Sequence, residues 1–520
     1  MTVNLPNRSG FASEKTACNS ARSGEMGVRP PDRRGMLTPL MAASRFPWTE
    51  PICAAVLAGL AGGMGWGIRG QYGHETGAMI AGLFVASVLV LRFVPHWRWA
   101  NAARAIALAT VAMGVGGSET YAQSIGLTQD ANLIGHEAAW RWGMLGLAIK
   151  GGVWIGFCGL FLGMGLGGIR YRPLEALVGV AVLLALYGIG VRCVNQPFDP
   201  SHRILPPLYF SADWRWLPDA TLKPRREIWA GLWASLIGAW LWVGWRRGDA
   251  LACRLAMWGV VGGAIGFPLG QTLQSYHAWH PDQFHDGIWK TLDPQLNWWN
   301  WMESTFGTVM GATLGLGVWM HRSLIRELPL PDSGNDSVSR WEVLPRILLT
   351  VHVVLLTLSE FGSNPTWSGN YDHGLNLLWL PLILVLWSSR CAVAMILPAT
   401  LIPIAGKTFV QLAHQEHYVT VAFGVVAYLS LPLLSIAWLA QRLSSPHRLA
   451  GPAAAPAAWA LMGMGGWIWW LNFEFFHRPW PWTAWTYRTP NLLYFTLALV
   501  AMIALAVMRI RTTSRSTHVR

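Results

Sequence analysis

Residues 62–77, GGMGWGIRGQYGHETG, are the stretch around which the rest of the chain is organised. They begin as the end of an apolar helix in which glycines stand four apart, at Gly59, Gly63 and Gly67. Glycines at this spacing allow helices to approach closely in lipid. The helix then gives way to polar residues, which are costly to bury in a membrane and are therefore candidates for function. These residues are Arg69, Gln71, His74 and Glu75.

The composition of the chain predicts an all-α polytopic integral membrane protein. Of its 520 residues, 53% are hydrophobic and 12% are charged, whereas soluble domains contain roughly 25% charged residues. Apolar segments of about 20 residues recur along the chain, and each is long enough to span a hydrocarbon core of about 30 Å. These segments lack the alternation typical of strands, so we expect their backbones to satisfy their hydrogen bonds as helices.

The apolar segments predict fourteen transmembrane helices. In this arrangement Lys and Arg concentrate in loops on the side of the amino-terminal tail, as the positive-inside rule requires. We therefore expect both termini in the cytoplasm and the protein in the bilayer of a bacterial inner membrane. Topology then explains the net charge of +13, and we expect no nucleic acid partner. The predicted helices cover residues 51–68, 78–94, 102–118, 141–168, 173–191, 227–245, 250–270, 297–320, 343–360, 375–390, 392–412, 417–440, 457–473 and 490–509.

The chain divides into five predicted regions: two tails and three groups of helices. Residues 1–50 are polar and basic, and we expect a disordered cytoplasmic tail. Residues 51–249 form a first membrane unit of six helices, and residues 250–342 form a second, shorter unit of two. Residues 343–510 form a carboxy-terminal membrane half, and residues 511–520 form a second cytoplasmic tail.

The shorter unit repeats part of the first. Gly70-Gln71 recurs as Gly270-Gln271 at a shift of 200 residues, with the same predicted direction across the membrane. A parallel internal repeat explains this match, and chance is the alternative because the chain contains 55 glycines. Four-residue glycine ladders in the first, fourth, seventh and eighth predicted helices indicate in either case that these helices form a close-packed central bundle.

The first candidate site is the turn that follows the first helix. Arg69 is a candidate anion clamp, because a guanidinium binds phosphate or carboxylate through two parallel hydrogen bonds, and Gln71 is assigned to substrate binding beside it. His74 and Glu75 are candidate catalytic residues, since a His–Glu neighbourhood supplies a base and its orienting partner. The alternative is a polar connector in which Arg69 pairs with Glu75.

The second candidate site is a histidine-rich segment directly after the repeated Gly270-Gln271. Histidine and carboxylate sets suit zinc or non-haem iron. The spacing matches no motif with a known mechanism, and ordinary hydrogen-bonded loop histidines are the alternative. The candidate metal ligands are His277, His280, Asp282 and His285.

The third candidate site is a pair of charges inside predicted helices. Lys150 lies about 13 Å into the fourth helix, at roughly 1.5 Å per residue, and Glu303 lies several residues into the eighth. At a shift of 152 residues the two helices align, and Lys150 then matches Met302, the residue next to Glu303. We therefore expect Lys150 and Glu303 to pair. Glu303 is assigned to catalysis and Lys150 to substrate binding. Gln271 joins the substrate-binding group through the repeat. A pair that only fixes the packing and a lysine that snorkels outwards are alternatives.

Histidine and acidic residues concentrate in the predicted outer loops, which the positive-inside rule does not require. This favours a membrane-embedded enzyme with an extracytoplasmic cavity, a transferase or hydrolase acting on a lipid-linked or glycosylated substrate. The 33 Trp include rings that suit an amphipathic ligand, although an interfacial belt also explains them. The alternatives are a secondary transporter that moves its repeated helices and a non-catalytic membrane assembly subunit.

Overall fold

A computed structural model describes residues 49–73, 75–119, 121–329, 343–361, 381–382, 385 and 389–518. The predicted tail 1–50 therefore lies almost entirely outside the described residues, as does most of the predicted helix 375–390. The described residues are helical and contain no β-strand.

The helices of the first two predicted units lie close to their expected positions. Exceptions are the short helices α4 and α9, which were not predicted, and α8, which continues nine residues past its predicted end to Trp279. Their bounds are α1 Thr49–Arg69, α2 Glu75–Phe93, α3 Trp99–Gly117, α4 Ala122–Gln129, α5 Glu137–Leu166, α6 Pro173–Val194, α7 Trp229–Leu241, α8 Ala250–Trp279, α9 Trp289–Leu292 and α10 Trp298–Met320.

The helices of the carboxy-terminal half are more often interrupted. π-Helical turns follow α12 and α13 at Val410–Gln415 and Val425–Ser430. The bounds are α11 Val343–Phe361, α12 Ser389–Phe409, α13 Val421–Gly424, α14 Leu431–Leu443, α15 Pro446–Ala450, α16 Ala454–Phe475 and α17 Thr489–His518.

Eight helical segments in the described part of the chain are long and apolar enough to cross a membrane, which indicates a polytopic membrane protein. The fourteen predicted spans are not confirmed. Helices α3 and α10 also reach a membrane-spanning length. Their polar residues lower their apolar character: Asn101 and Arg104 in α3, and Asn300 and Glu303 in α10. The eight segments are Thr49–Arg69, Thr76–Phe93, Glu137–Leu166, Leu174–Val194, Ala250–Trp279, Ile396–Gln415, Val421–Leu443 and Thr489–Thr513.

Two antiparallel helix pairs, α1 with α10 and α5 with α8, pack through glycine. A Cβ atom at Gly307 of α10 would overlap the carbonyl oxygen of Gly62 in α1. In the second pair, a Cβ atom at Gly263 would overlap the carbonyl oxygen of Gly151. Such contacts bring two backbones together and leave no room for a larger residue.

The contacts recur every four residues along each pair. Gly311 and Gly315 of α10 meet Ala58 and Ala54 of α1, and Gly159 of α5 meets Leu255 of α8. Helix α10 also packs against α8, which joins the two pairs into one bundle. The internal repeat itself stays a prediction.

Candidate functional site

Arg69 is the last residue of α1, and the chain turns immediately after it into α2. Gly73 in this turn has a φ of +93°, a left-handed conformation that favours glycine. Gly70 faces α10, where a Cβ atom would lie 2.6 Å from the Glu303 carboxylate. The turn therefore places Arg69 inside the bundle, where its side chain is only 2% exposed.

Four side chains form a buried polar group that we call the Arg69 cluster: Arg69, Tyr121, Asn300 and Glu303. The Arg69 guanidinium lies 3.4 Å from Glu303 Oε1 and also donates a hydrogen bond to the Tyr121 hydroxyl. That hydroxyl donates to Glu303 Oε1 at 3.0 Å. Asn300 Nδ2 lies 3.5 Å from Glu303 Oε2 and 2.5 Å from the Gly67 carbonyl oxygen. Both carboxylate oxygens of Glu303 are thus oriented by neighbours.

Aromatic rings surround the Arg69 guanidinium. Its central carbon lies 4.7 Å from the centroid of Trp66, 5.0 Å from that of Tyr121 and 5.5 Å from that of Trp154. Its Nε and Nη1 atoms have no hydrogen-bond partner among the described residues. Cation–π attraction offsets part of the resulting desolvation cost. The guanidinium keeps two donors that a bound anion would satisfy.

A second group, the Lys150 cluster, consists of Lys150, Glu119, Glu227 and Ser124, all buried. Lys150 Nζ lies 2.8 Å from Glu227 Oε1, 3.4 Å from Glu119 Oε1 and 2.9 Å from Ser124 Oγ. The predicted Lys150–Glu303 pair is therefore wrong. The two acidic partners of Lys150 lie in the connection after α3 and in the segment before α7. An alignment of two helices does not show where these connections run.

Backbone groups fix both carboxylates of the Lys150 cluster. The Phe210 amide donates to Glu227 Oε2 at 3.0 Å, and the Ser211 hydroxyl donates to Glu227 Oε1 at 2.8 Å. The Ile228 amide donates to Glu119 Oε2 at 2.8 Å. If both acids ionise, one negative charge in the cluster is unbalanced, and burial makes such a charge expensive. The cluster therefore holds two acids against one base in a buried site.

A narrow cavity of about 10 Å³, lined by both polar and apolar side chains, lies beside the Arg69 cluster, and we call it the asparagine cavity. It is lined by Gly67, Asn300, Asn472, Asn491 and Arg488, among others. Asn491 is 1% exposed, and neither atom of its amide has a hydrogen-bond partner among the described residues. A cavity needs roughly 10–15 Å³ to hold one water molecule. The unpartnered amide therefore marks a place for a water or a polar ligand group.

Asn300 belongs to both the cavity and the Arg69 cluster, so it connects Glu303 to the cavity. Arg488 also lines the cavity; the central carbon of its guanidinium lies 4.2 Å from the centroid of the Phe476 ring, and the residue is partly exposed. Helices α1 and α16 end here and α10 and α17 begin here, which is the end of the bundle predicted to be extracytoplasmic.

Of the remaining residues predicted for catalysis and substrate binding, Gln71 and Gln271 do not join these groups. His74 and the side chain of Glu75 lie outside the described residues. Gln71 is half-buried in the turn after α1. Gln271 is buried on α8, where its Nε2 donates to Thr128 Oγ1 of α4 at 2.8 Å. It therefore anchors α4 instead of contributing to the Arg69 cluster.

The four predicted metal ligands do not form one ligand set. Among the described residues, no group of three or more His, Cys, Asp or Glu side chains is placed to hold a metal ion. His277 pairs with Asp293 at 2.8 Å and stacks on Trp298 with centroids 4.6 Å apart. It lies on the unexpected extension of α8, whereas Asp282 and His285 are exposed beyond it. The structure does not support the predicted zinc or iron site.

Sequence reasoning missed Tyr121, Glu227 and the three asparagines of the cavity. A usable signal existed for Asn300, Asn472 and Asn491, because an amide near the end of an apolar helix is costly without a partner. Comparison of the chain with protein-family models, curated proteins and solved structures found no match.

Proposed function

We propose that the chain is a membrane-embedded transferase or hydrolase that acts from the extracytoplasmic side on a lipid-linked or glycosylated substrate. One observation carries the proposal: Asn300 connects the oriented carboxylate of Glu303 to the asparagine cavity. A carboxylate held by positioned donors next to a cavity with polar groups in its lining suits general acid–base catalysis.

Each group has a role in this proposal. Glu303 exchanges a proton with the substrate, while Tyr121 and Asn300 hold its two oxygens in place. Arg69 balances the charge of Glu303 and binds an anionic group through its unpartnered nitrogens. Amides donate and accept hydrogen bonds, so Asn472 and Asn491 suit the hydroxyl groups of a sugar.

The size of the cavity sets a condition on the mechanism. About 10 Å³ holds a single water molecule, so a larger substrate group enters only after movement. Asn472 lies in the last turn of α16 and Asn491 lies in the first turn of α17, and these two helices contact each other. We propose that their extracytoplasmic ends separate when the substrate binds.

The proposed orientation keeps fourteen spans, both termini in the cytoplasm and a bacterial inner membrane. The two glycine-packed pairs, α1 with α10 and α5 with α8, support a parallel repeat because each combines one helix from each predicted unit. A cysteine introduced at Gln283 tests the orientation, since it lies in an exposed turn predicted to be outside.

The test of catalysis uses purified protein in lipid nanodiscs. Three probes are supplied in turn: a polyprenyl-diphosphate-linked saccharide, a glycolipid and a glycerophospholipid. Products are followed by mass spectrometry for the wild type, for Glu303→Gln and for the control Glu137→Gln. Glu137 is an exposed acid at the same predicted face, where it pairs with Arg141 at 2.6 Å.

We expect one probe to be converted, with Glu303→Gln slower by roughly 10²–10⁴-fold and Glu137→Gln unchanged. Removal of Glu303 also leaves Arg69 unpaired, so Arg69→Gln/Glu303→Gln is included to keep the buried charge balanced. It is expected to fold and to stay inactive. Full activity of a folded Glu303→Gln enzyme would refute the assignment, and no conversion of any probe by folded wild type would refute catalysis.

A second candidate function is proton-coupled transport, and the Lys150 cluster favours it. Two carboxylates and one ammonium are sealed together, so a proton can bind or leave the cluster while the bundle moves. Proteoliposomes with an internal pH dye would distinguish the candidates. Proton flux that Glu119→Gln abolishes, without chemical change of any probe, would favour the transporter.

A further inference from the structure

We infer that a groove between α5, α6 and α7 binds an anionic glycerophospholipid, with its phosphate at an arginine-rich rim and an acyl chain along apolar walls. The groove has a volume of about 1020 Å³. It lies at the end of the bundle where α5 ends and α6 begins, which is the predicted cytoplasmic end. The inference does not depend on the proposed catalytic function.

The rim of the groove carries a marked excess of positive charge. Glu175 is the single acidic residue among the lining side chains, and its Oε1 lies 3.4 Å from Arg247 Nε. Arg247 also donates to the Arg170 carbonyl oxygen and lies 5.5 Å from the centroid of Tyr171. The other three arginines are exposed. The four lining arginines are Arg170, Arg172, Arg246 and Arg247.

The local fold brings these arginines together from two distant parts of the chain. Gly168 has a φ of +72°, and Pro173 begins α6, so the connection between α5 and α6 turns within a few residues. Helix α7 ends in a π-helical turn, Trp242–Arg246, directly before Arg247. The contact between Arg247 and Arg170 joins the two segments.

The walls of the groove suit a hydrocarbon chain. On α6, Leu174, Val178 and Val182 are 72%, 55% and 51% exposed, so this helix presents apolar side chains that the described residues leave largely uncovered. From Arg172 to Leu183 the helix rises by roughly 16 Å, which is about half of a hydrocarbon core of about 30 Å. The apolar wall therefore has the depth of one leaflet.

Charge and shape together select the ligand. A free phosphate would contact only the rim and leave the apolar walls exposed. A zwitterionic lipid brings its own ammonium group, which reduces its attraction to the arginines. A basic pocket between transmembrane helices on the cytoplasmic side is a recognised site for anionic head groups. An anionic glycerophospholipid satisfies the rim and the walls at once.

Native mass spectrometry of the purified full-length protein tests this inference. The protein is titrated with phosphatidylglycerol and, separately, with phosphatidylcholine. Arg170→Gln/Arg246→Gln removes two rim charges, while the control Arg448→Gln/Arg511→Gln removes two exposed charges from the same predicted face outside the groove. Val178→Trp narrows the groove and keeps all four arginines.

We expect the wild type to prefer phosphatidylglycerol and the rim variant to bind it about 10- to 30-fold more weakly, since each basic residue near anionic lipid contributes a factor of roughly five. Val178→Trp is expected to lose the lipid, and the control variant to keep it. Equal binding of the two lipids, or the same loss in rim and control variants, would overturn the inference. Displacement of the lipid by soluble glycerol phosphate would show a head-group site only and would also overturn it.

Discussion

Replacing Glu303 by Gln removes the carboxylate that compensates Arg69 inside the bundle. Arg69 is 2% exposed and lies 3.4 Å from Glu303, and breaking a buried pair by removing one partner costs about 3–5 kcal/mol. The glutamine still accepts from Tyr121, and three aromatic rings remain around the guanidinium. We therefore expect the lower end of that range, a loss of about 3 kcal/mol in the free energy of unfolding.

The reverse variant, Arg69→Gln, leaves Glu303 with two neutral donors, Tyr121 and Asn300. Removing both charges together leaves no unbalanced charge, so the double variant is expected to be more stable than the sum of the single changes by about 2 kcal/mol or more. Equilibrium unfolding by sodium dodecyl sulfate in mixed micelles measures all four proteins. Additive losses, or a loss below about 0.5 kcal/mol for Glu303→Gln, would refute the pairing of Arg69 with Glu303.

Three further predictions concern packing, charge and orientation. Gly307→Ala would place a Cβ atom against the backbone of α1, and we expect the free energy of unfolding to fall by about 1–3 kcal/mol in the same assay. Gly188→Ala is the control: nothing lies within 4 Å of a Cβ atom at Gly188, so this change should be nearly neutral. Lys150→Met leaves two carboxylates without their cation, and its loss of stability should shrink as pH falls because protonation removes their charges. A loss independent of pH, or one that Glu119→Gln does not reduce, would show that Lys150 does not balance the charge of these carboxylates. Gln283→Cys should react with a membrane-impermeant thiol reagent added to intact cells, and labelling only after lysis would reverse the proposed orientation.

Helix positions could be predicted from the sequence because they depend on local properties. The apolar runs and the four-residue glycine spacing located α1, α5 and α10 to within a few residues. Arg69 is a candidate because it directly follows an apolar helix, and Glu303 is a candidate because it is a charge inside one. Both belong to one buried cluster in the structure, although different roles had been assigned to them.

The partners of these charges could not be predicted, because they depend on the paths of connections. Lys150 meets Glu227, which is 77 residues further along the chain, through the segment that precedes α7. Helix α4 is only eight residues long and of modest apolarity, so it gave no membrane signal, yet Tyr121 and Ser124 at its start complete both clusters. The asparagines of the asparagine cavity are uncharged, so a pattern of charges in apolar segments does not predict them.

The histidine-rich segment shows the opposite error. Its composition suggested a metal site, but α8 continues to Trp279 and carries His277 to Asp293 and Trp298 instead. Pro281 then begins a short 3₁₀ turn that contains Asp282. Spacing along the chain is a poor guide to ligand geometry when a helix ends inside the motif.

Density for a substrate in the asparagine cavity would test the central claim most directly. The measurement is an electron cryomicroscopy structure of the protein in nanodiscs with the polyprenyl-diphosphate-linked saccharide, or with whichever other probe is converted. We predict that the polar part of the substrate lies against Asn472 and Asn491, with its reacting oxygen at about 3 Å from Glu303. A substrate bound elsewhere, with the cavity closed and Glu303 still sealed behind Asn300, would contradict the account.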